Sequence, residues 1–370
     1  MSKSYTILCH AEALSPITHM SGSSGNESIV AREAVVTPRG VAMIPCLSGN
    51  AIRHRCVRDP GMQWLVDAYG LKGKLTLKHL NFLFHGGNLT DGGGREDTRR
   101  IADFQRLWPL GRLLGGCLPD QILAGSLQVW RGTMACEENH PYLASVLPGE
   151  TLGSRRLRAS ETFITGYQYI RADAVKTKTD LASGKEPCRV EGTTTAGYNA
   201  FMEGLAPLIG DIDAATLPQS APGKKSEEWW VETPYVPWPQ LDAIIPKGVA
   251  KVSDRKSNLM IFAGQAITRG AAFLLGFTVP HSSELELGAL LWSLQLWQAA
   301  GGTVGGQAAR GHGRLGLSIL DFGEDVPGLI DAYKDYAMSV KDEAVAWLEA
   351  AFATKAKEPK PAKPKKGEAA

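Results

Sequence analysis

The chain has 370 residues, of which 44% are hydrophobic and 21% charged, with a formal net charge of +2. Such values are ordinary for a globular protein with a sizeable core, and no apolar run reaches the roughly 18 residues of a membrane span. Residues 355–370 alone hold six lysines and two glutamates, so the other 354 carry 34 basic and 36 acidic groups, net −2; any polyanion site on the folded chain is therefore local.

The opening MSKSYTILCHAEAL lacks the long apolar core of a secretory signal, which sets a cytoplasmic expectation. Residues 4–14 alternate Tyr5, Ile7, Cys9 and Ala11 against smaller or polar neighbours and predict a strand. A long loop is expected over SPITHMSGSSGNES. The apolar VAMIP then leads into a helix over 48–58 that Ser48 can cap, with Asp59-Pro60-Gly61 interrupting before a second helical piece at 62–69. Residues 98–115 read as helix and 125–136 as strand. From about 160 to 200 the chain is basic and Thr-rich, as in a long extended hairpin. Residues 218–248 hold six of the chain's 21 prolines with Trp229, Trp230 and Trp238, and read as an irregular insertion.

Strand character returns at 258–279. Ser283 and Glu286 form a capping box for a helix carrying Leu287, Leu290, Leu294 and Trp297, which Gly301-Gly302 ends. LGLSILDF (315–322) alternates as a strand, and 327–353 predicts one amphipathic helix. The Lys/Pro-rich tail at 354–370 is expected to be disordered. Without the insertions the order is β-α-β-β-α-β, an α+β, ferredoxin-like (RRM-like) arrangement.

Six cysteines at 9, 46, 56, 117, 136 and 188 include no C-x-x-C pair, so a zinc ribbon is not expected. Cys136 and His140 could be half of a metal site, but no second ligand pair is spaced to join them. No metal and no cofactor are expected.

GGTVGGQAARGHGRLG (301–316) packs seven glycines, two arginines and a histidine into sixteen positions. Gly311, Gly313 and Gly316 satisfy the dinucleotide fingerprint, but the run follows a helix and precedes a strand, the reverse of what a pyrophosphate site requires. Gly306 and Gly311 have Walker spacing, yet His312 stands where lysine is needed. Two readings stay open. Backbone amides with Arg310, His312 and Arg314 suit phosphate oxygens, or the run is a tight turn with solvated arginines.

Two further clusters bear on that choice. The helix start SGNAIRHRCVR offers N-terminal amides with Arg53, Arg55 and Arg58, and at i, i+2 and i+5 not all three arginines can share a face. In a β-α-β-β-α-β fold this start and the glycine run can lie near one another. GYQYIRADAVKTKTD (166–180) interleaves Tyr167 and Tyr169 with Arg171, Lys176 and Lys178, the mixture used to stack bases and track a single-strand backbone.

Four segments in order carry a resemblance: IPCLSGNAIRHRCVR (44–58), LLGGCLPDQILAGSLQVWRGTMA (113–135), GQAITRGAAFLLGFTV (264–279) and GGQAARGHGRLGL (305–317). Together they resemble the RAMP superfamily of CRISPR-associated proteins, in particular its Cas-seven-like backbone subunits. The resemblance implies a subunit that binds CRISPR guide RNA, assembles with further copies of itself and other class 1 effector subunits, and meets target nucleic acid through the guide, with no membrane partner. The implied RNA contacts are Ser48, Asn50, Arg53, Arg55, Tyr167, Tyr169, Arg171, Lys176, Lys178, Gly305, Gly306, Gln307, Arg310, Gly311, His312, Gly313 and Arg314. Implied domains are a palm in two parts (1–159 and 258–353), a thumb hairpin with the Pro/Trp-rich insertion (160–257) and the tail (354–370).

Two departures qualify the match. Asn50 occupies the place of the family's usual helix lysine. Where type III members carry a catalytic aspartate, IVAREAVV (29–36) has Arg32, with Glu33 beside it; an arginine cannot activate an attacking ribose hydroxyl. A non-cleaving, type IV-like scaffold is therefore expected. The alternatives are a ribonuclease using Glu33 or Asp59, and an enzyme that holds a nucleotide phosphate in the glycine run.

Overall fold

In the computed structural model, four strands, β1 (Lys3–Ala13), β2 (Gly132–Met134), β3 (Ala272–Ser282) and β4 (Leu315–Ile319), build the centre of a sheet in the order β4-β1-β3-β2, continued by the strands Gly40–Leu47 and Arg32–Thr37. All neighbouring pairs of known register in this sheet are antiparallel, with Ile7 opposite Phe277, Cys9 opposite Leu275 and Ala11 opposite Leu317. The alternation read from residues 4–14 is visible as burial: Ile7, Cys9, Ala11 and Ala13 lie in the core. The structure describes residues 3–24, 27–90, 97–147, 157–172, 188–223, 225–233, 236–252, 259–320 and 322–353. These fall into two compact units, Met1–Tyr167 with Ala263–Ala370, and Gln168–Phe262.

One face of the sheet is covered by helices. The first begins as α1 (Gly49–Ile52), passes through a π turn at Arg53–Arg58 and runs on as α2 (Asp59–Ala68); α3 spans Glu284–Ala299. Ile52, Cys56, Val57 and Leu65 pack with Leu287, Leu290, Leu294 and Trp297 against Ile7 and Phe277. The expected break at Asp59-Pro60-Gly61 does not occur. Pro60 has no N–H to give to an α-helical acceptor, and the π turn absorbs that loss by letting Asp59 N–H reach back five residues to the His54 carbonyl. Gly61 permits close packing, since a side chain there would strike Ser293 and Leu110. At α3 the Ser283 hydroxyl accepts from Glu286 N–H as expected, but the Glu286 carboxylate pairs with Arg112 at 2.7 Å.

Other differences from the sequence reading have local causes. The loop expected over SPITHMSGSSGNES contains the strands Met20–Ser24 and Glu27–Val30, paired antiparallel, and the second pairs in parallel with Ala263 and Gly264 of the strand Leu259–Ile267. Small polar residues conceal this local hairpin, and the strand that holds its second arm in parallel lies far along the chain. Helix 98–115 is two helices meeting at Trp108, and 327–353 is Val326–Ser339 and Lys341–Phe352, which part at the buried Val340.

The second unit has its own core, with Val190, Phe201, Leu205, Trp229, Val231 and Leu241 buried together. Its sheet runs Gln219–Ser220, Trp229–Thr233, Cys188–Gly192, Ala250–Val252, backed by the helix Thr195–Leu205. The 218–248 stretch is thus more regular than its prolines suggest, with Trp229–Thr233 as strand and Trp238–Ile244 as helix. The hairpin expected over 160–200 is not formed among the described residues: Ile164–Ala172 lies beside Leu259–Ile267, whereas Cys188–Gly192 belongs to the second unit's sheet, because each arm finds its partner far along the chain. Residues 173–187 and the tail at 354–370 lie outside the described residues.

Candidate nucleic-acid interface

The glycine run leaves α3 and returns to the sheet as β4, the helix-then-strand order that its sequence position requires. Its glycines serve close backbone approach. Gly305 (φ +78°) and Gly313 (φ +86°) occupy the left-handed region, and a side chain at either would drive into a carbonyl, Thr18 for the first and Val304 for the second. Many of the amides expected to face an anion are used within the protein. Gly306 N–H donates to Thr18 O and Gly313 N–H to Pro16 O, both at 2.8 Å, and Gly311 N–H donates to Ala308 O at 3.0 Å. The N–H groups of Gly305, Gln307, Ala308 and Ala309 have no acceptor among the described residues. The amides left for an outside acceptor are therefore those of the short arc 305–309, with Arg310 and Arg314 exposed beside it.

Two adjacent residues tie this loop to the helix start. Thr18 Oγ1 donates to Gly306 O at 2.6 Å, in addition to receiving Gly306 N–H on its carbonyl. The next residue, His19, accepts Ser48 N–H on Nε2 at 3.0 Å. Ser48 Oγ in turn accepts Ala51 N–H and caps α1. His19 is 9% exposed, and burial pushes its imidazole below its ordinary pKa. An unprotonated Nε2 is what the Ser48 amide requires. Thr18 and His19 therefore fix the two predicted clusters against one another, with exposed Asn50 at the helix start.

A third side joins through Gln307. This residue adopts φ +62°, uncommon for a side chain with a Cβ. Its Nε2 donates to the Tyr167 hydroxyl at 3.0 Å, and the Tyr167 ring meets His312 edge-on at 5.5 Å. Gly264 makes room: a Cβ there would stand 2.5 Å from the Tyr167 oxygen. Ser48, Asn50, Tyr167, Gln307, His312, Arg310 and Arg314 thus belong to one region of one unit. Exposed guanidinium groups, unsatisfied amides and a half-buried tyrosine can bind an extended anion with a planar group nearby.

No family model matches the chain, and no curated protein matches it. Among solved structures it is similar to a chain of a "Type IV-B CRISPR Complex", at 13% identity over 86% of this chain and 92% of that one, with a TM-score of 0.43. It is also similar to that described as "Crystal structure of Thermofilum pendens Csc2", at 11% identity over 95% of this chain and 90% of that one, TM-score 0.36.

The remaining expected residues are placed differently. Arg53 points inward, its Nη2 donating to the Leu114 carbonyl, and burial lowers its pKa. Arg55 is exposed and pairs with Asp59 at 3.2 Å. Tyr169 belongs to the second unit and stacks on Phe262 at 5.2 Å. The Arg171 side chain and all of Lys176 and Lys178 lie outside the described residues. Glu33 pairs with Arg131 at 3.2 Å and Arg32 with Glu161 at 2.9 Å. Cys136 is buried, which raises its thiol pKa to about 12, and no three metal-ligating side chains converge among the described residues. Among the described residues no helix is long and apolar enough to cross a membrane. Thr18 and His19 escape sequence reading because they sit in a stretch read as loop; the only signal was a threonine and a histidine among small residues.

Proposed function

We propose that the chain is a backbone subunit of a class 1 CRISPR effector, nearest the type IV branch. It binds guide RNA, assembles along it with further copies and other subunits, and presents the guide to target nucleic acid without cutting it. In this reading β1, α1–α2, β2, β3, α3 and β4 constitute the ferredoxin-like palm, and the guide's phosphates lie on the Gly305–Arg314 arc and the Ser48–Asn50 turn. The single observation that carries the reading is the Thr18–His19 junction, which sets those two segments side by side in one unit. Phosphate contacts of this kind fix register without reading sequence, which suits a subunit that leaves recognition to base pairing.

Electron microscopy of the protein with a long guide RNA tests the assembly; head-to-tail arrays are expected, and closed two-fold dimers or monomers on RNA would overturn it. Incubating the assembled complex with labelled complementary RNA and a divalent cation tests the chemistry. No cleavage is expected from the unmodified protein, and evenly spaced cuts that vanish in Glu33→Ala would make the chain a ribonuclease instead.

A further inference from the structure

The second unit carries an open pocket of about 860 Å³ on its sheet, lined by none of the residues assigned above. Alternation decides which side chains reach it. Val190, Trp229 and Val231 point into the core, so Arg189, Glu191 and Trp230 occupy the opposite face. Register aligns Lys251, Glu191, Trp230 and Ser220 in one row across all four strands. The Arg189 guanidinium carbon lies 4.1 Å from the centroid of the Trp230 ring, and its Nε stands 3.0 Å from Glu191 Oε1. The indole and the carboxylate together hold the guanidinium in place, so a ligand need not order it.

Charge and shape narrow the occupant. Arg189 and Lys251 are balanced by Glu191 and Glu228, so the pocket offers no net attraction to a polyphosphate. It offers instead a half-exposed indole bearing a guanidinium, with carboxylate acceptors and hydroxyl and ammonium donors around it. A planar heteroaromatic ring with hydrogen-bonding groups on its edge satisfies all of these at once: its face stacks on the Arg189–Trp230 pair, and its edge meets acceptors and donors in turn. An aliphatic ligand would leave the charged groups unanswered.

We propose that this pocket binds a nucleobase, presented either by a free nucleoside or by a splayed base of a single strand. The site shares no residue with the Gly305–Arg314 arc and reads the base rather than the phosphates.

The full-length protein would be titrated with adenosine and with uridine by calorimetry, and in a second arm with ten-nucleotide A and U strands followed by ultraviolet cross-linking and peptide mapping. The variants are Trp230→Ala, Trp230→Phe and Arg310→Ala/Arg314→Ala, each checked by thermal melting. Nucleoside binding that falls by on the order of tenfold in Trp230→Ala, is partly retained in Trp230→Phe and is unchanged in the double arginine variant would support the site and name the free nucleoside as source. No nucleoside binding, but a strand cross-link within 188–192 or 229–233 that Trp230→Ala removes, would support it with the strand as source. Binding unaltered by Trp230→Ala in a folded protein would overturn the proposal, as would the absence of both nucleoside binding and cross-link. Neither result would touch the guide-RNA reading, which the assembly and cleavage experiments test separately.

Discussion

Arg58 and Arg314 sit in two arginine-bearing segments that the sequence presents alike, a helix start and a glycine-rich turn, yet the fold uses them in opposite ways. Arg58 is 8% exposed and donates to the carbonyls of Leu83, Leu114 and Gly115 at 3.0–3.2 Å, with Phe82 O at 3.5 Å. Burial lowers its pKa to about 10, so it remains cationic at neutral pH inside a cage of carbonyls. Arg53 turns the same way, toward Leu114. Arg314 and Arg310 are exposed beside unsatisfied amides. Arg53 and Arg58 hold the insertion after residue 80 to the core, whereas Arg310 and Arg314 stay at the surface of the turn. Surroundings, and not the motif, separate a clamp from a contact.

The largest effect is expected where the clamp is removed. Arg58→Ala removes the donor from the Leu83 and Gly115 carbonyls, while Leu114 O keeps Arg53 and Phe82 O keeps Gly86 N–H, and should cost about 3 kcal/mol. Chemical denaturation would show the midpoint falling with RNA affinity of the folded fraction intact; an undiminished midpoint would mean that water replaces the guanidinium. The next effect separates two glycines of the turn. Gly313 is buried and a Cβ would drive into Val304 O, while Gly311 (φ +82°) has no atom within 4 Å of the same position. Gly311→Ala should cost about 1–2 kcal/mol from handedness alone, and Gly313→Ala clearly more. Equal costs would show that close approach contributes nothing. Gly311→Val then probes the ligand side, because only a bound strand stands to collide with its side chain.

Removing the contacts should leave stability unchanged and weaken binding. Arg310→Ala and Arg314→Ala are each expected to lower affinity for guide RNA by roughly tenfold and to flatten the slope of log K against log salt by a little under one. The loss should be the same for every spacer sequence, and removing the tail lysines at 355–366 should matter only at low salt. Spacer-dependent losses in filter binding would show that these arginines read bases.

Much of this arrangement is legible in the sequence because it rests on local signals. The alternation of residues 4–14, the cap at Ser283, the Leu287–Trp297 stripe and the glycine run all report short-range geometry, and the strand and helix order follows from them. What stays hidden depends on partners distant along the chain. No window of the sequence shows that Pro60 sits inside a helix, since the remedy is a π turn. Nothing in SGNAIRHRCVR tells which arginine meets Leu83 and Leu114, or that Gly306 needs Thr18. The order of the segments was readable; the residues that hold the helix start and the glycine turn together were not.

The smallest effect tests that junction by pH. His19 keeps a lowered pKa when folded because it is buried, and its neutral Nε2 accepts the Ser48 amide. Between its folded pKa and the ordinary histidine value near 6.5, the unfolded chain binds more protons than the folded one. The contribution of His19 is therefore fully present above about pH 6.5 and is lost as pH falls through the folded value. Two other histidines must be separated from it, because His54 and His79 also have lowered values from burial. His54 faces Asp59, Arg55, Arg58 and His85, and His79 faces Glu349, so their removal should leave the glycine turn unmoved. Stability measured from pH 8 to 5 should decline less steeply in His19→Gln, whose amide can still accept from Ser48 but does not titrate. Hydrogen exchange would locate the change: the Ser48 and Gly306 amides should lose protection together as the unmodified protein is acidified and keep it in His19→Gln. If Ser48 opens alone while Gly306 stays protected, Thr18 and His19 are not one latch, and the helix start and the glycine turn are held independently.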